Sequence, residues 1–145
     1  MSQYYFPLIE DELLKEGLPI ELRALPIIES ALSVTAVSPM GAVGLWQFMP
    51  STGKSYGLEV NSLVDERRDP VRSTQAACRY LKDLYAIYKD WSLAIAAYNC
   101  GPGNVNKALA RAGEKSRTFW DIYDYLPRET RGYVPAFIGA SYAYA

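Results

Sequence analysis

Histidine is missing altogether from the 145 residues. Its absence excludes Ser-His-Asp and Cys-His nucleophilic catalysis, histidine-ligated metal centres and histidine general bases. Neither a GxxxxGK[ST] phosphate loop nor a GxGxxG fingerprint occurs. Excess charge of one sign is also lacking: the formal net charge is −1. Without the broad basic field that phosphate backbones require, nucleic acid is not an expected partner. Long apolar runs are absent, and the longest strongly apolar stretch, Leu93 to Tyr98, is far too short to cross a bilayer. Cysteine is limited to Cys78 and Cys100, too few for a disulfide framework and without metal-ligand spacing. Both are expected to be plain thiols. Met1 to Tyr5 carry neither the basic nor the apolar region of a secretory signal. That leaves either an internal protein or a piece of a longer exported precursor. Any proton chemistry must come from Asp, Glu, Tyr, Lys or Cys.

Half of the residues are apolar and 21% are charged, an ordinary balance for a folded chain and not for a disordered one. The length suits a single core, so one domain over residues 1–145 is expected. Its fold class is mainly α, since period-two alternation is scarce and any sheet must be small. Residues 71–88 repeat Val71, Thr74, Cys78, Leu81, Tyr85 and Tyr88 at helical spacing, behind an Asp69-Pro70 start signal. Trp91 to Asn99 is apolar on almost every side, as in a helix at the centre of a domain. Gly101-Pro102-Gly103 should stop it, with another helix from Asn104 to Ala112 holding Val105, Ala108 and Leu109 inward. Pro19 can open a helix with Leu22, Leu25 and Ile28 on one face, which Pro26 should kink or restart. Pro127 can open a last helix bearing Tyr133, Phe137 and Ala140, with Pro135 expected to interrupt it.

Three patches hold the chemistry-bearing residues. Glu29 follows Leu25-Pro26-Ile27-Ile28 and precedes Ser30-Ala31-Leu32. A carboxyl near the end of so apolar a helix is expected to be partly desolvated, which raises its pKa and suits a general acid at a glycosidic oxygen. A solvent-facing glutamate on an amphipathic helix is the ordinary alternative. No Asp or Glu follows until Glu59, so no second carboxylate stands nearby in the sequence to work with Glu29. Instead come Ser38, the small residues Gly41, Ala42 and Gly44, and then Gln47 and Met49 after Leu45 and Trp46. Glycines permit close backbone approach; amides, hydroxyls and aromatic faces suit sugars. A glycine-bearing turn before a core helix explains the segment equally well. The second patch, Ala97-Tyr98-Asn99-Cys100-Gly101-Pro102-Gly103, ends a buried helix with a phenol and an amide. A core tyrosine with a capping asparagine is its plain reading. In the third, Glu129 and Tyr133 share a helix face, which an ordinary solvated face also accounts for.

Taken in order, these motifs resemble the lytic transglycosylase catalytic domain, the SLT domain. They are Glu29-Ser30, the stretch from Ser38-Pro39 through Gly44-Leu45-Trp46-Gln47-Phe48-Met49-Pro50, and Ala97-Tyr98-Asn99-x-Gly101-Pro102-Gly103. Within that family they look most similar to the membrane-bound lytic murein transglycosylase D group, as do Arg67-Arg68-Asp69-Pro70 and Pro127-Arg128-Glu129-Thr130-Arg131-x-Tyr133-Val134-Pro135. The likeness covers about residues 17 to 140. It implies a goose-lysozyme-like helical fold with Glu29 at the base of a sugar-binding groove. It further implies that Glu29 protonates the oxygen between N-acetylmuramic acid and N-acetylglucosamine. As a carboxylate it would then take a proton from the muramyl C6 hydroxyl, which attacks C1 in its own ring and leaves a 1,6-anhydro product. Intramolecular attack has a high effective molarity, and so one carboxyl suffices where glycosidases generally use two.

By motif position the resemblance places Ser38 on the N-acetyl group or a hydroxyl near C1. Gln47 and Met49 would line the groove, Tyr98 and Asn99 would lie near Glu29 or the sugar, and Glu129 and Tyr133 would be further cleft residues. Cys100 stands where alanine is usual. No cofactor and no metal is implied. The expected partner is the peptidoglycan glycan strand, met by a monomer with no membrane contact of its own. The bacterial envelope is the implied location, which makes the missing signal read as truncation. The rival expectations are a lysozyme-type hydrolase using Asp65, Glu66, Asp69 or Glu129 as a second carboxylate, a catalytically silent glycan-binding module, and an intracellular helical interaction protein.

Overall fold

The computed structural model describes residues 2–144, with side chains from residue 5 onward. Among these, eight α-helices and three short 3-10 turns account for most of the chain. Extended pairing is confined to isolated bridges, Val37 with Val43, Val43 with Phe48, and Val60 with Asp65. The mainly helical expectation holds. The backbone divides into two compact units. The first runs to Tyr80 and takes in the chain from Ala140 onward; the second is Leu81–Gly139.

In the first unit, α1 (Ser2–Lys15) buries Ile9 and Leu13, four residues apart on one face. It ends in a left-handed Gly17 (φ +70°), with Leu18 N–H donating to Leu13 O at 2.9 Å and Gly17 N–H to Leu14 O at 3.1 Å. This double closure satisfies carbonyls that a helix end otherwise leaves open. Sequence periodicity did not single out α1.

A 3-10 turn over Ile20–Arg23 follows Pro19, and α2 (Ala24–Ser30) begins after it. The restart expected at Pro26 is therefore real. Pro26 falls in the first turn of α2, where the missing N–H is no loss. Leu22 and Leu25 face inward and are buried, whereas Ile28 is half-buried. Arg23 pairs with Glu10 and also donates to the Tyr144 carbonyl.

Helix α3 (Pro50–Ser55) is short, and α4 (Pro70–Tyr88) is long. Asp69 starts α4 as the spacing predicts: its Oδ1 accepts from Val71 and Arg72 N–H, both at 2.9 Å. The inward stripe differs from the expected one. Ser73, Thr74, Ala76, Ala77, Cys78, Leu81 and Leu84 are buried, but Val71 is 45% exposed. Val71 stands in the first turn at the edge of that arc.

In the second unit, α5 (Trp91–Cys100) is capped by Asp90, whose Oδ1 accepts from Leu93 N–H at 2.9 Å. Leu93 through Ala97 are all buried, so the helix that reads as apolar on every side is central. Its alanines let α6 (Pro102–Ala112) and α7 (Phe119–Ile122) pack closely. Helix α6 starts two residues before the expected Asn104, because Pro102 fits the first helical position. Gly101, at φ +87°, is the whole turn. Val105 and Ala108 are buried and Leu109 half-buried.

Helix α8 (Arg128–Ala143) also departs from expectation, because it continues through Pro135. Pro135 is exposed, and the single helix bond it forfeits can be replaced by water on the freed carbonyl. No helix among the described residues is long and apolar enough to cross a membrane.

Candidate functional site

Glu29 is the penultimate residue of α2 and is half-buried. The helix stops there because Ala31 (φ 51°) and Leu32 (φ 63°) both turn left-handed. Ala31 N–H donates to Ile27 O at 3.0 Å and Leu32 N–H to Pro26 O at 3.3 Å, closing the helix end. The Ser30 hydroxyl is shared between Pro26 O at 3.0 Å and Leu45 O at 2.9 Å. Through it, the turn next to Glu29 is tied to the glycine-bearing segment.

That segment, residues 36–49, is a tightly folded loop. Ser38 N–H donates to Ala42 O at 2.9 Å, and Ala42 N–H donates back to the Ser38 hydroxyl at 3.0 Å. The Ser38 oxygen is thus used as an acceptor, and its own O–H remains available to donate. Gln47, left-handed at φ 51°, donates from Nε2 to Ala36 O at 3.1 Å and to Gly44 O at 2.9 Å. Two carbonyl acceptors fix the amide orientation and leave Oε1 as the acceptor end. Met49 is 40% exposed. Trp46, next to these residues in the motif, belongs to the core: it is fully buried, with its indole N–H on the Thr74 hydroxyl at 2.9 Å.

The loop is braced by Arg67, which the sequence reading placed in a motif but not in the site. Its side chain is buried, with the whole residue only 6% exposed. One terminal nitrogen, Nη1, donates to Gly41 O and Phe48 O, both at 3.0 Å. The Nε and Nη2 groups hold Asp65 in a two-pronged pair at 2.9 and 2.7 Å. This hydrogen-bonded pairing lowers the Asp65 pKa below its ordinary value against the opposing effect of burial. Gly44 packs on the same residue: a Cβ there would lie 1.9 Å from Arg67 O.

In the second unit, Tyr98 and Asn99 lie in the last turn of α5 and are half-buried. The Thr130 hydroxyl donates to Asn99 Oδ1 at 2.8 Å, so the amide NH2 is the end left to donate. Thr130 is 1% exposed and ties α5 to the first turn of α8. Burial pushes the Cys100 thiol up, the neighbouring Thr130 hydroxyl partly offsetting it. Glu129 is exposed and Tyr133 half-buried on α8. The structure therefore gathers Glu29, Ser38, Gln47 and Met49 within the first unit, and Tyr98, Asn99, Glu129 and Tyr133 within the second.

Three of the four carboxylates considered as partners for Glu29 already have structural duties. Asp65 holds Arg67, and Asp69 caps α4. Glu66 accepts from Glu59 N–H at 2.7 Å and pairs with Arg72 at 3.4 Å. The residues that sequence reasoning missed are Arg67 and Thr130. Asp65, two residues before Arg67, was the one local hint. Among the described residues, no group of three or more His, Cys, Asp or Glu could hold a metal ion.

Residues 7–120 match the Transglycosylase SLT domain family. The chain is 43% identical over 143 residues to the membrane-bound lytic murein transglycosylase D of Escherichia coli (strain K12), covering 97% of this chain and 31% of that protein. It is 32% identical over 111 residues to the soluble lytic murein transglycosylase of the same strain, covering 73% and 17%. It therefore spans less than a third of the length of either relative. Among solved structures, the 70 kDa soluble lytic transglycosylase of Escherichia coli superposes with a TM-score of 0.78 at 28% identity, covering 97% of this chain and 24% of that one.

Proposed function

The chain belongs to the transglycosylase SLT domain family, and on that premise we propose that it is a peptidoglycan lytic transglycosylase working through Glu29. The substrate is the β-1,4 bond between N-acetylmuramic acid and N-acetylglucosamine. Glu29 gives its proton to the bridging oxygen as the C1–O bond breaks. It then accepts the proton of the muramyl C6 hydroxyl as that oxygen bonds to C1, so the acid is regenerated and no water is consumed. The relatives' names carry the activity; both are lytic murein transglycosylases. Glycan strands of the cell envelope are the partner on this reading.

The single observation that carries the assignment of the acid is the setting of Glu29. It is half-buried at an abruptly ended helix whose last residue is tied to the Arg67-braced loop. On that loop Ser38 offers a hydroxyl proton and Gln47 an amide oxygen, a donor and an acceptor suited to an N-acetyl group and ring hydroxyls, with Met49 giving apolar contact. In the second unit, the Asn99 NH2, Tyr98, Glu129 and Tyr133 are assigned to substrate binding on the strength of their motifs. The structural duties of Asp65, Glu66 and Asp69 favour this reading over a hydrolase, which needs a second group to direct water.

Mass analysis of muropeptides released by the wild type and by Glu29→Gln is the test. Products one water lighter than hydrolysis products are expected from the wild type, and none from a folded Glu29→Gln protein. Reducing-end muramic acid as the sole product would refute the chemistry. Undiminished digestion by Glu29→Gln would remove Glu29 from it.

A further inference from the structure

Trp120 in α7 is 67% exposed, yet it is firmly braced. Its ring stacks on Tyr123 with centroids 5.6 Å apart and planes 27° from parallel. Buried Phe119 meets both rings edge-on, at 5.0 Å from Trp120 and 5.8 Å from Tyr123. The Arg131 guanidinium lies 5.7 Å from the Tyr123 ring centre, held by the carbonyls of Leu126 at 3.1 Å and Asp124 at 2.7 Å. The four-residue helix itself is closed by a reciprocal cap: the Thr118 hydroxyl accepts from Asp121 N–H, and the Asp121 carboxylate accepts from Thr118 N–H. Tyr123 covers one face of the indole, so the solvent-exposed area lies on the opposite face and edges. A surface ring fixed by so many contacts loses little freedom when something binds it.

We propose that Trp120, backed by Tyr123, forms a stacking platform for a pyranose ring of the glycan strand, a binding site in the second unit in addition to the motif residues. The proposal rests on the glycan-cleaving function above. The slightly positive C–H face of a pyranose matches the negative face of an indole, the same pairing that favours edge-to-face aromatic contacts. The surroundings select a sugar over an apolar protein surface. Asp121 and Asp124 flank the rings, and both are exposed, as is Tyr125. The Asp124 carboxylate has no partner among the described residues. A dry apolar interface strands such a carboxylate, whereas sugar hydroxyls donate to it.

Co-sedimentation with purified sacculi tests the platform, using the full chain carrying Glu29→Gln so that the sacculi stay intact. Adding Trp120→Ala is expected to weaken sedimentation about three- to tenfold, the loss of one aromatic stacking contact, while Trp120→Phe keeps most of the affinity. Circular dichroism confirms that each variant is folded. Equal sedimentation of the Trp120→Ala and Trp120-containing proteins overturns the platform. If the wild type still digests sacculi in that case, the glycan-cleaving function stands without it. If the wild type neither binds nor digests sacculi, both fall.

Discussion

Replacing Gly44 by alanine should be among the most damaging small changes this chain can suffer, and its cost divides into two separable parts. The first is backbone strain: Gly44 has φ +90°, and a non-glycine residue held there costs about 1–3 kcal/mol. The second is the contact. A Cβ at Gly44 would lie 1.9 Å from Arg67 O and 2.9 Å from Arg67 C. Ordinary C···O contacts begin near 3.3 Å, so the two chain segments must part by about 1.4 Å. The bonds from Arg67 Nη1 to Gly41 O and Phe48 O are both 3.0 Å and cannot survive such a shift unstretched. Each buried bond lost costs about 1–3 kcal/mol. Gly41 supplies the control. It has φ +94°, but a Cβ there meets nothing within 4 Å, so Gly41→Ala bears the strain alone. Urea denaturation should give a loss of about 3–9 kcal/mol for Gly44→Ala against about 1–3 kcal/mol for Gly41→Ala. In thermal unfolding the losses should be about 8–25 °C and about 3–8 °C, respectively. Equal losses for the two variants would refute the role given to the Gly44–Arg67 contact.

Two further predictions concern titrating groups. Because Arg67 lowers the Asp65 pKa from an ordinary 3.8, this pairing stabilises the fold at pH values above 3.8 and its contribution is lost as pH falls through the lower, folded-state value. The stability gap between wild type and Asp65→Asn, measured by urea denaturation from about pH 6 to about pH 3, should therefore narrow at the acid end; a constant gap contradicts the pairing. Cys78 is fully buried, and burial, aided by the carboxylates of Glu12 and Glu16, pushes its thiol up to about 12. At about pH 8 it should resist iodoacetamide until denaturant is added, since the thiolate is the reactive form. Peptide mass mapping that finds Cys78 labelled in the native protein would contradict its burial.

The parts of the fold legible in the sequence were those governed by local rules. Asp69 caps the helix it precedes, and the all-round apolar character of Leu93 to Ala97 reports a central helix. Prolines misled in both directions. Pro102 looked like part of a stop signal but begins α6, and Pro135 looked like a break but lies within α8. In each case the outcome depends on whether one backbone N–H is needed, which tertiary context decides. In the candidate site, Glu29 and the motif residues on the 36–49 loop are proposed from their order and spacing. Arg67 was not, because its burial depends on acceptors at Gly41, Phe48 and Asp65 that converge only in the folded chain. The bond from Thr130 to Asn99, 31 residues away, was hidden for the same reason. Trp46 showed the converse: an aromatic residue inside a sugar-suited motif that packs inward.

Backbone strain is concentrated beside the proposed acid. Ala31, Leu32 and Gln47 are left-handed without being glycine, and among the described residues only Lys89 shares that geometry. Each such residue costs about 1–3 kcal/mol and persists only where its surroundings enforce it. Here the enforcement is visible. Ala31 and Leu32 close α2 through Ile27 O and Pro26 O, and Gln47 is held by its own N–H and by both amide protons. A right-handed continuation at Ala31 would extend α2 past Ser30 and take the Ser30 hydroxyl away from Leu45 O. The strain thus keeps the end of α2 tied to the loop bearing Ser38 and Gln47. The proposed reaction, in which one carboxyl serves twice and the sugar supplies its own nucleophile, depends on placement more than on additional catalytic groups. Such placement calls for a rigid support, and on that proposal the three strained residues within the 17-residue span from Ala31 to Gln47 have a use.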